Sequence, residues 1–302
     1  MGIKGLSKII KKVAPNAWKE TSMEQYRGQS LAVDVPIFMY KFTYFDPENP
    51  INGFVEQLKL FETYDITPIY VFDGVACDAK KPELEKRKEI KQHAVDTLTD
   101  AEKNLLEVQQ QCTVNVGGKR KFDPAKFGAL ADAQTHFQKA EKRVASVPKK
   151  SSYTELEVLL TSRGIDWVQA AHDAEKVCSQ LVSNKKCYAV ISEDFDTLPY
   201  LAGGGGRGKF VTGFGKASMV EYDIEKVLNG FNMTPAQFID FCILSGCDLC
   251  KKITNVAGKR AMTMVQSYGT IENILRCIDR NKYPVPESFR YDLARKEFNS
   301  IV

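Results

Sequence analysis

Seven acidic residues fall in short groups along this chain, several of them just after an apolar stretch. The set is Asp34, Asp73, Asp173, Glu175, Asp194, Asp196 and Asp248. Carboxylates that lie together repel one another unless protons or cations intervene, so a cluster of them is costly without a metal. Sites rich in carboxylate oxygen and poor in histidine suit Mg²⁺ or Mn²⁺. If the fold brings these residues together, the sequence predicts a site for a hard divalent cation.

The sequence contains few residues that could form other kinds of catalytic or metal site. Three histidines in the whole chain leave little for a zinc hydrolase or a Ser-His-Asp triad. Cys247 and Cys250 form a C-x-x-C pair near Cys242, but no second pair and no histidine follows, so we interpret them as buried thiols. The glycine-rich segment 202–208 lacks the spacing of a phosphate-binding loop and is interpreted as a surface loop. Any single acid could be a surface charge or a helix N-cap, and Asp173 in particular could cap a helix.

The elements that must position these acids are strands of an α/β sheet. Three β-rich apolar stretches, residues 30–35, 68–72 and 186–191, alternate with helix-like sequence, and this alternation predicts a parallel sheet. Ligands of open α/β sheets bind beyond the carboxyl ends of the strands, so the acids that follow these stretches should converge on one edge. Asp194 and Asp196 are two residues apart and project to one face if strand geometry continues through them.

Residues 76–150 differ from the rest in being polar, helix-like and lysine-rich. From Lys80 to Lys150 there are 16 Lys and Arg against 10 Asp and Glu, a net charge of +6 that exceeds the +4 of the whole chain. We predict an inserted helical segment that carries the positive field. A solvated helical surface is the alternative interpretation of the same charge.

The C-terminal third is predicted to be helical. Thr234 and Pro235 suit an N-cap and the first position of an apolar helix, and Thr270 suits a second N-cap. A short basic turn, residues 251–260, lies between these two starts. Residues 234–275 are therefore predicted to form a helical hairpin.

Composition favours a soluble intracellular protein. A hydrophobic content of 43% in 302 residues is ample for a core. No apolar run approaches the roughly 18 to 20 residues that cross a bilayer, and the N-terminus lacks the pattern of a signal peptide. Eight irregularly spaced cysteines suit a reducing compartment better than a disulfide scaffold.

Six short motifs, in order, resemble those of the flap endonuclease family of 5′ nucleases. They are residues 1–6 (MGIKGL), 32–34 (AVD), 71–74 (VFDG), 173–175 (DAE), 193–196 (EDFD) and 245–248 (SGCD). The likeness runs over essentially the whole chain, and residues 282–287 (KYPVPE) resemble flap endonucleases in particular. It implies one α/β nuclease domain, residues 1–302, with a central, mainly parallel sheet flanked by helices, the PIN-like 5′-nuclease fold. Residues 76–150 would be an inserted helical arch, and residues 234–275 a helix-hairpin motif that binds duplex DNA.

The resemblance also implies a two-metal site held by the seven carboxylates, with two Mg²⁺ ions for which Mn²⁺ can substitute. Lys80 and Arg87 match positions that contact the scissile phosphate, and seven residues, about two helical turns, would place both on one face of a helix. Tyr40 matches a position whose ring stacks on a base, although a buried core tyrosine is an equally ordinary interpretation. Gly2 begins a segment threaded close to the active site and is expected to lie against the DNA.

Two departures from the family pattern stand out. Asp173 occupies a position that is usually Glu, so its carboxylate is one methylene shorter. In the hairpin turn, Asn255 and Ala257 replace glycines of a G-x-G stretch that grips the duplex and often binds K⁺. Asn adopts the left-handed conformation readily and Ala at a cost. We therefore expect Lys259 and Arg260 to contact phosphates and leave K⁺ binding open.

The function that follows is Mg²⁺-dependent endonucleolytic removal of 5′ flaps from DNA, with 5′ exonuclease activity, in replication and repair. The expected partner is DNA with a 5′ flap, a nick or a recessed 5′ end, bound by a monomer. No membrane partner is expected and no sliding-clamp tail is visible; the nucleus is the expected compartment if the source is eukaryotic. A mainly exonucleolytic enzyme remains an alternative because residues 245–248 suit that branch equally well. A catalytically silent DNA-binding scaffold is the alternative from another class.

Overall fold

A computed structural model of the protein describes residues 2–3, 5–116, 119–122, 126–215 and 218–300. Met1 and Lys4 of the first motif, and the tip residues 117–118 and 123–125 of the predicted arch, lie outside this range. The strands are β1 (Trp18–Thr21), β2 (Ser30–Asp34), β3 (Thr67–Phe72), β4 (Thr113–Val116), β5 (Lys119–Phe122), β6 (Trp167–Gln169), β7 (Ala189–Ile191), β8 (Lys209–Thr212) and β9 (Met219–Asp223). The helices are α1 (Leu6–Val13), α2 (Val35–Phe45), α3 (Ile51–Thr63), α4 (Lys81–Gln111), α5 (Phe127–Ala145), α6 (Lys150–Ser162), α7 (Ala174–Ser183), α8 (Thr197–Gly203), α9 (Ile224–Phe231), α10 (Pro235–Ser245), α11 (Lys259–Tyr268), α12 (Ile271–Cys277) and α13 (Tyr291–Asn299).

The central sheet has seven strands in the order β1-β9-β8-β7-β2-β3-β6. Neighbouring strands from β8 through β6 pair in parallel, whereas β9 and β1 extend the sheet with antiparallel pairs. Because the buried strands have side chains on alternate faces, each contributes to a core on both sides. Ala32 lies in one core, and Leu31 and Val33 lie in the other. The predicted fold, a mainly parallel α/β sheet flanked by helices, is confirmed.

The three predicted strands are present, with one boundary shifted. The stretch predicted at residues 186–191 is a strand only from Ala189 to Ile191. Lys185 has a positive φ of 59°. The chain that leaves α7 therefore turns at this residue, and the strand begins only after the turn. Strands β1, β6, β8 and β9 were missed, since strands of only three to five residues show little apolar periodicity.

The lysine-rich segment is a helical hairpin. Helix α4 is 31 residues long and packs against the 19-residue α5. The buried side chains of these helices are alanines seven residues apart, Ala94 and Ala101 on α4 and Ala133 and Ala140 on α5. Such small residues at two-turn spacing allow the helices to approach closely. The antiparallel ribbon of β4 and β5, which follows α4 and precedes α5 in the sequence, was not predicted.

The C-terminal helices begin where the sequence placed them. Thr234 and Gln237 form a reciprocal capping box at the start of α10, and the Thr270 side chain caps α12. In the intervening turn Asn255 takes the left-handed conformation with φ 61°, and Gly258 has φ 52°. Among the described residues no helix is both long and apolar enough to span a membrane.

Candidate active site

Two parallel strands deliver the first two acids to the same edge of the sheet. Asp34 is the last residue of β2, and Asp73 directly follows β3. Because β2 and β3 are paired in parallel with Asp34 opposite Val71, both chains leave the sheet at its carboxyl edge. Asp34 is 1% exposed and accepts a hydrogen bond of 2.6 Å from the Ser192 hydroxyl. Asp73 lies at the solvent side and accepts one of 2.8 Å from the backbone N–H of Ala174.

Asp194 and Asp196 meet through a turn and not through strand geometry. Strand β7 ends at Ile191, and Asp196 already has helical backbone angles as the N-cap residue of α8. The backbone N–H of Asp196 donates to the Asp194 carboxylate at 3.0 Å. The two side chains therefore come together as predicted, but the alternation argument behind the prediction was wrong. Both residues are buried.

Asp173 and Glu175 stand at the start of α7, where Lys80 lies between them. The Lys80 amine is 3.0 Å from Asp173 and 3.9 Å from Glu175. Lys80 belongs to the short 3₁₀ turn Asp78–Lys80 that precedes α4, so it was wrongly placed on the long helix. Burial opposes its charge, but attraction by Glu175, Asp173 and Asp73 is stronger and raises the pKa of Lys80.

Asp248 joins the cluster from the turn after α10. Its backbone N–H donates to the Asp196 carboxylate at 3.3 Å. Its own carboxylate pairs with the guanidinium of Arg87, which reaches over from α4. Lys80 and Arg87, both singled out in the sequence, thus contact the acids from one side. Together these contacts place all seven predicted acids in one network at the carboxyl edge of the sheet.

The cluster is electrostatically strained in the metal-free chain. Burial, with repulsion from neighbouring carboxylates, raises the pKa of Asp34 to about 8 and that of Asp196 to about 8. Burial likewise raises the pKa of Glu175 well above its ordinary value. The Oδ1 atoms of Asp34 and Asp196 are buried, and neither has a hydrogen-bond partner among the described residues. Unsatisfied anionic oxygens of this kind fit a bound cation.

The acids are near one another but not closed around an ion. Within the described part of the chain, no three His, Cys, Asp or Glu side chains already stand at the separations of a finished coordination shell. Lys80 and Arg87 each pair with a carboxylate of the cluster. A divalent cation would have to compete with these two ion pairs.

Gly2 fills a space that no other residue could occupy without displacing the acids. It has φ 73°, and a Cβ added to it would lie 2.0 Å from the Asp194 carboxylate and 2.5 Å from that of Asp196. The backbone of the N-terminal segment therefore passes directly over these two carboxylates. The predicted threading close to the site agrees with this position.

The sequence analysis also singled out Tyr40, Lys259 and Arg260 as DNA contacts. Tyr40 is 42% exposed on α2, so it is not a buried core tyrosine. Lys259 and Arg260 begin α11 and line a cavity of about 490 Å³ together with Lys252 and Asn255. The Arg260 guanidinium donates to the Asn255 carbonyl and lies over the Tyr283 ring at 5.6 Å. Lys259 is exposed in the same turn.

Two residues of the site were missed by the sequence analysis. Ser192 is fully buried and links Asp34 to the turn of Asp194, whose N–H donates to its hydroxyl at 3.0 Å. Tyr200 donates to Asp173 at 2.9 Å. Neither could be found from spacing alone, although Ser192 directly precedes the EDFD motif. The cysteines near Asp248, by contrast, are buried free thiols as predicted.

Comparisons with known proteins agree with this architecture. The XPG N-terminal domain family matches residues 1–94, and the XPG I-region family matches residues 164–248. Flap endonuclease 1 of Zea mays is 34% identical over 313 residues, which cover 99% of this chain and 75% of the relative. Flap endonuclease 1 of Entamoeba histolytica is 35% identical over 314 residues, with the same two coverages.

Solved structures share the fold. The catalytic core of Rad2 in complex with a DNA substrate aligns with a TM-score of 0.64 at 19% identity, covering 99% of this chain and 81% of that one. Flap endonuclease-1 from Methanococcus jannaschii aligns with a TM-score of 0.57 at 20% identity, covering 94% and 95% of the two chains. The fold, the ordered motifs and the sequence identity to curated relatives lead to one conclusion: the chain belongs to the flap endonuclease family.

Proposed function

We propose that this protein is a structure-specific 5′ nuclease that hydrolyses DNA phosphodiesters near junctions of single and double strand, removing 5′ flaps in replication and repair. The observation that carries the proposal is the network of seven carboxylates at the sheet edge, contacted by Lys80 and Arg87. Membership of the flap endonuclease family supports the same activity. A DNA-binding scaffold would gain nothing from holding so many buried acids together.

The seven carboxylates would hold two divalent cations, Mg²⁺ in the first place and Mn²⁺ as a substitute. The buried, unpartnered oxygens of Asp34 and Asp196 are the best evidence for ligands on this chain. When bound, two such ions favour deprotonation of a water and neutralise charge on the leaving oxygen. Asp173 and Asp248 would have to exchange their ion pairs with Lys80 and Arg87 for metal contacts.

Lys80 and Arg87 would then face the scissile phosphate. Both lie over the carboxylates and come from the same side, the 3₁₀ turn and first turns of α4. A guanidinium can grip a phosphate with two hydrogen bonds, whereas an ammonium acts as a point charge. Tyr40 is exposed and contributes to the raised pKa of Arg87. Its ring would stack on the adjacent base.

The DNA itself would be guided by two basic elements. Residues 76–150, which include the hairpin of α4 and α5, would act as the arch for the single strand, since the net charge of +6 over residues 80–150 attracts phosphates. The hairpin of α10 and α11, within residues 234–275, would hold the duplex through Lys259 and Arg260, whose side chains face the same cavity. Action as a monomer, and in the nucleus if the source is eukaryotic, belongs to the same proposal.

The direct test is cleavage of a labelled double-flap DNA with Mg²⁺ and with EDTA, followed by mapping of the product ends. We expect cuts within about one nucleotide of the junction and only with metal. A parallel substrate with a recessed 5′ end measures the exonuclease activity: stepwise digestion faster than flap cutting would favour the mainly exonucleolytic alternative. Tight binding without cleavage on any substrate would favour the scaffold.

Metal should also remove a pH dependence of stability that the acids impose. Because the pKa of Asp34 and of Asp196 rises from 3.8 to about 8 on folding, the folded chain holds protons that the unfolded chain has lost. The two carboxyl groups do not destabilise the folded chain below about pH 4 and destabilise it fully above about pH 8. The stability therefore falls as the pH rises through this window. We expect the Tm in EDTA to fall between pH 6 and 8 and to change less in Mg²⁺.

Asp34→Asn is the control for this measurement, because its side chain has nearly the same shape and no titrating proton. It should make the fall of the Tm with rising pH in EDTA shallower, with Asp196 still contributing. Identical profiles of the wild type with EDTA and with Mg²⁺ would contradict the assignment of these acids as metal ligands.

A further inference from the structure

Tyr200 reaches the acid cluster from inside the protein. Its side chain is 1% exposed, and its ring packs edge-on against Phe298 of α13 with the ring centroids 4.9 Å apart. The hydroxyl donates a hydrogen bond of 2.9 Å to Oδ2 of Asp173. A ring fixed in this way has little freedom, so the hydroxyl defines where that carboxylate oxygen can lie.

Asp173 does not cap the helix at whose start it lies. It is the N-cap residue of α7, with extended angles φ −84° and ψ 134°, yet its side chain makes no capping hydrogen bond. The free N–H of Ala174 is satisfied instead by Asp73. The Asp173 carboxylate is therefore turned away from its own helix and toward Tyr200 and Lys80, which means that it serves the acid cluster and not the cap.

The two partners of Asp173 differ in kind. Lys80 is charged and neutralises the carboxylate, whereas Tyr200 donates a hydrogen bond without adding charge. A neutral donor to a ligating carboxylate fixes its direction and leaves its charge available to a cation.

We propose that Tyr200 is a positioning residue, whose hydroxyl holds the Asp173 carboxylate in the orientation that binds a divalent cation. The inference rests on the proposed metal-dependent function and adds a residue to it. A longer side chain at position 173 would extend toward the Tyr200 hydroxyl. The two oxygens are already 2.9 Å apart, which leaves no room for another methylene, since that adds roughly 1.5 Å. The tyrosine hydroxyl and the short Asp side chain at 173 thus occupy complementary space.

The test is a double-mutant cycle read by metal affinity in the absence of DNA. Mn²⁺ binding to the full chain would be measured by the loss of the free-ion electron paramagnetic resonance signal. Tyr200→Phe should weaken Mn²⁺ binding about 10- to 100-fold, as loss of a partner of a metal ligand typically does. Asp173→Glu should also weaken binding, because its longer side chain collides with the hydroxyl. The double variant should bind Mn²⁺ more tightly than Asp173→Glu alone, since removal of the hydroxyl makes room for the longer side chain.

Tyr222→Phe is the matched control. Tyr222 is also 1% exposed and loses a hydrogen bond of 2.8 Å, here to Ser7, outside the acid cluster. It should lower the Tm in EDTA about as much as Tyr200→Phe does and leave Mn²⁺ affinity unchanged. Any variant that does not fold is recognised in the same melting experiment; if Tyr200→Phe does not fold, comparison of the double variant with Asp173→Glu still tests the coupling.

Three outcomes would overturn the inference in different ways. If the wild type binds Mn²⁺ and cuts flap DNA while Tyr200→Phe binds Mn²⁺ equally well, Tyr200 only packs in the core and the proposed function stands. If both single variants lose affinity and the double variant loses the sum of both effects, the two side chains are not complementary. If the wild type binds no Mn²⁺ and cuts no DNA, the proposed function fails and the inference fails with it.

Discussion

Asp194→Ala is expected to abolish cleavage of flap DNA while DNA binding stays intact or becomes tighter. Asp194 is buried against Asp196 and beneath Gly2, at the centre of the carboxylate network. Its loss would take away one of the proposed metal ligands, and loss of the several kcal/mol that a positioned ion supplies corresponds to a rate at least about 10³-fold lower. Phosphate repulsion falls at the same time because one negative charge is gone. Single-turnover cleavage and fluorescence anisotropy on the same substrate measure the two effects separately.

Asp292→Ala is the control for charge. Asp292 is an exposed acid paired with Arg290 at the start of α13, and its removal should change neither rate nor affinity. Stability should also separate the two variants. Burial raises the pKa of Asp194, so removing this carboxylate should stabilise the metal-free chain at pH 8. A wild-type cleavage rate for Asp194→Ala would remove Asp194 from the proposed site.

The placement of most acids could be predicted because one physical rule governs it. Asp34 and Asp73 follow buried apolar strands, and parallel pairing sends the chain out of the sheet at the same edge. Apolar runs of this kind are visible in a sequence without knowledge of tertiary contacts. The same holds for Thr234, whose capping box depends only on residues three positions apart. Local rules therefore account for much of the framework.

What escaped prediction depends on contacts between distant parts of the chain. Ser192 and Asp34 are 158 residues apart, and Tyr200 and Asp173 are 27 apart. No periodicity reports such pairs. Asp194 and Asp196 show a different failure: they converge, but through a turn whose hydrogen bond replaces the assumed strand. A correct juxtaposition can thus follow from an incorrect local geometry.

The family resemblance supplied what neither pattern nor spacing contains. Nothing about Gly2 suggests a function until its backbone is seen against Asp194 and Asp196. Arg87 is one of six Lys and Arg side chains on α4, and only its ion pair with Asp248 singles it out. In both cases the resemblance identified the residue and the structure supplies a physical reason for its position.

Lys80→Ala is expected to slow cleavage about 10²- to 10³-fold with a much smaller effect on DNA affinity. The Lys80 amine lies between Asp173 and Glu175, where a phosphate drawn to bound cations would meet it. A preorganised charge of this kind acts mainly on the transition state, and losing one such donor costs rates of this order. The measurement is the single-turnover rate at saturating enzyme, together with the Kd.

Lys81→Ala offers a closely matched control because it removes the same group one residue away. Lys81 is exposed and paired with Asp78 at 2.7 Å, so its loss should leave the cleavage rate unchanged. Lys80→Ala also leaves Asp173 and Glu175 without their cation, so the metal-free chain should melt at a lower temperature and recover more stability on adding Mg²⁺. Equal rates for Lys80→Ala and Lys81→Ala would show that Lys80 only neutralises the acids. A slow Lys80→Ala with undiminished Mn²⁺ affinity would place its action on the phosphate and not on the metal site.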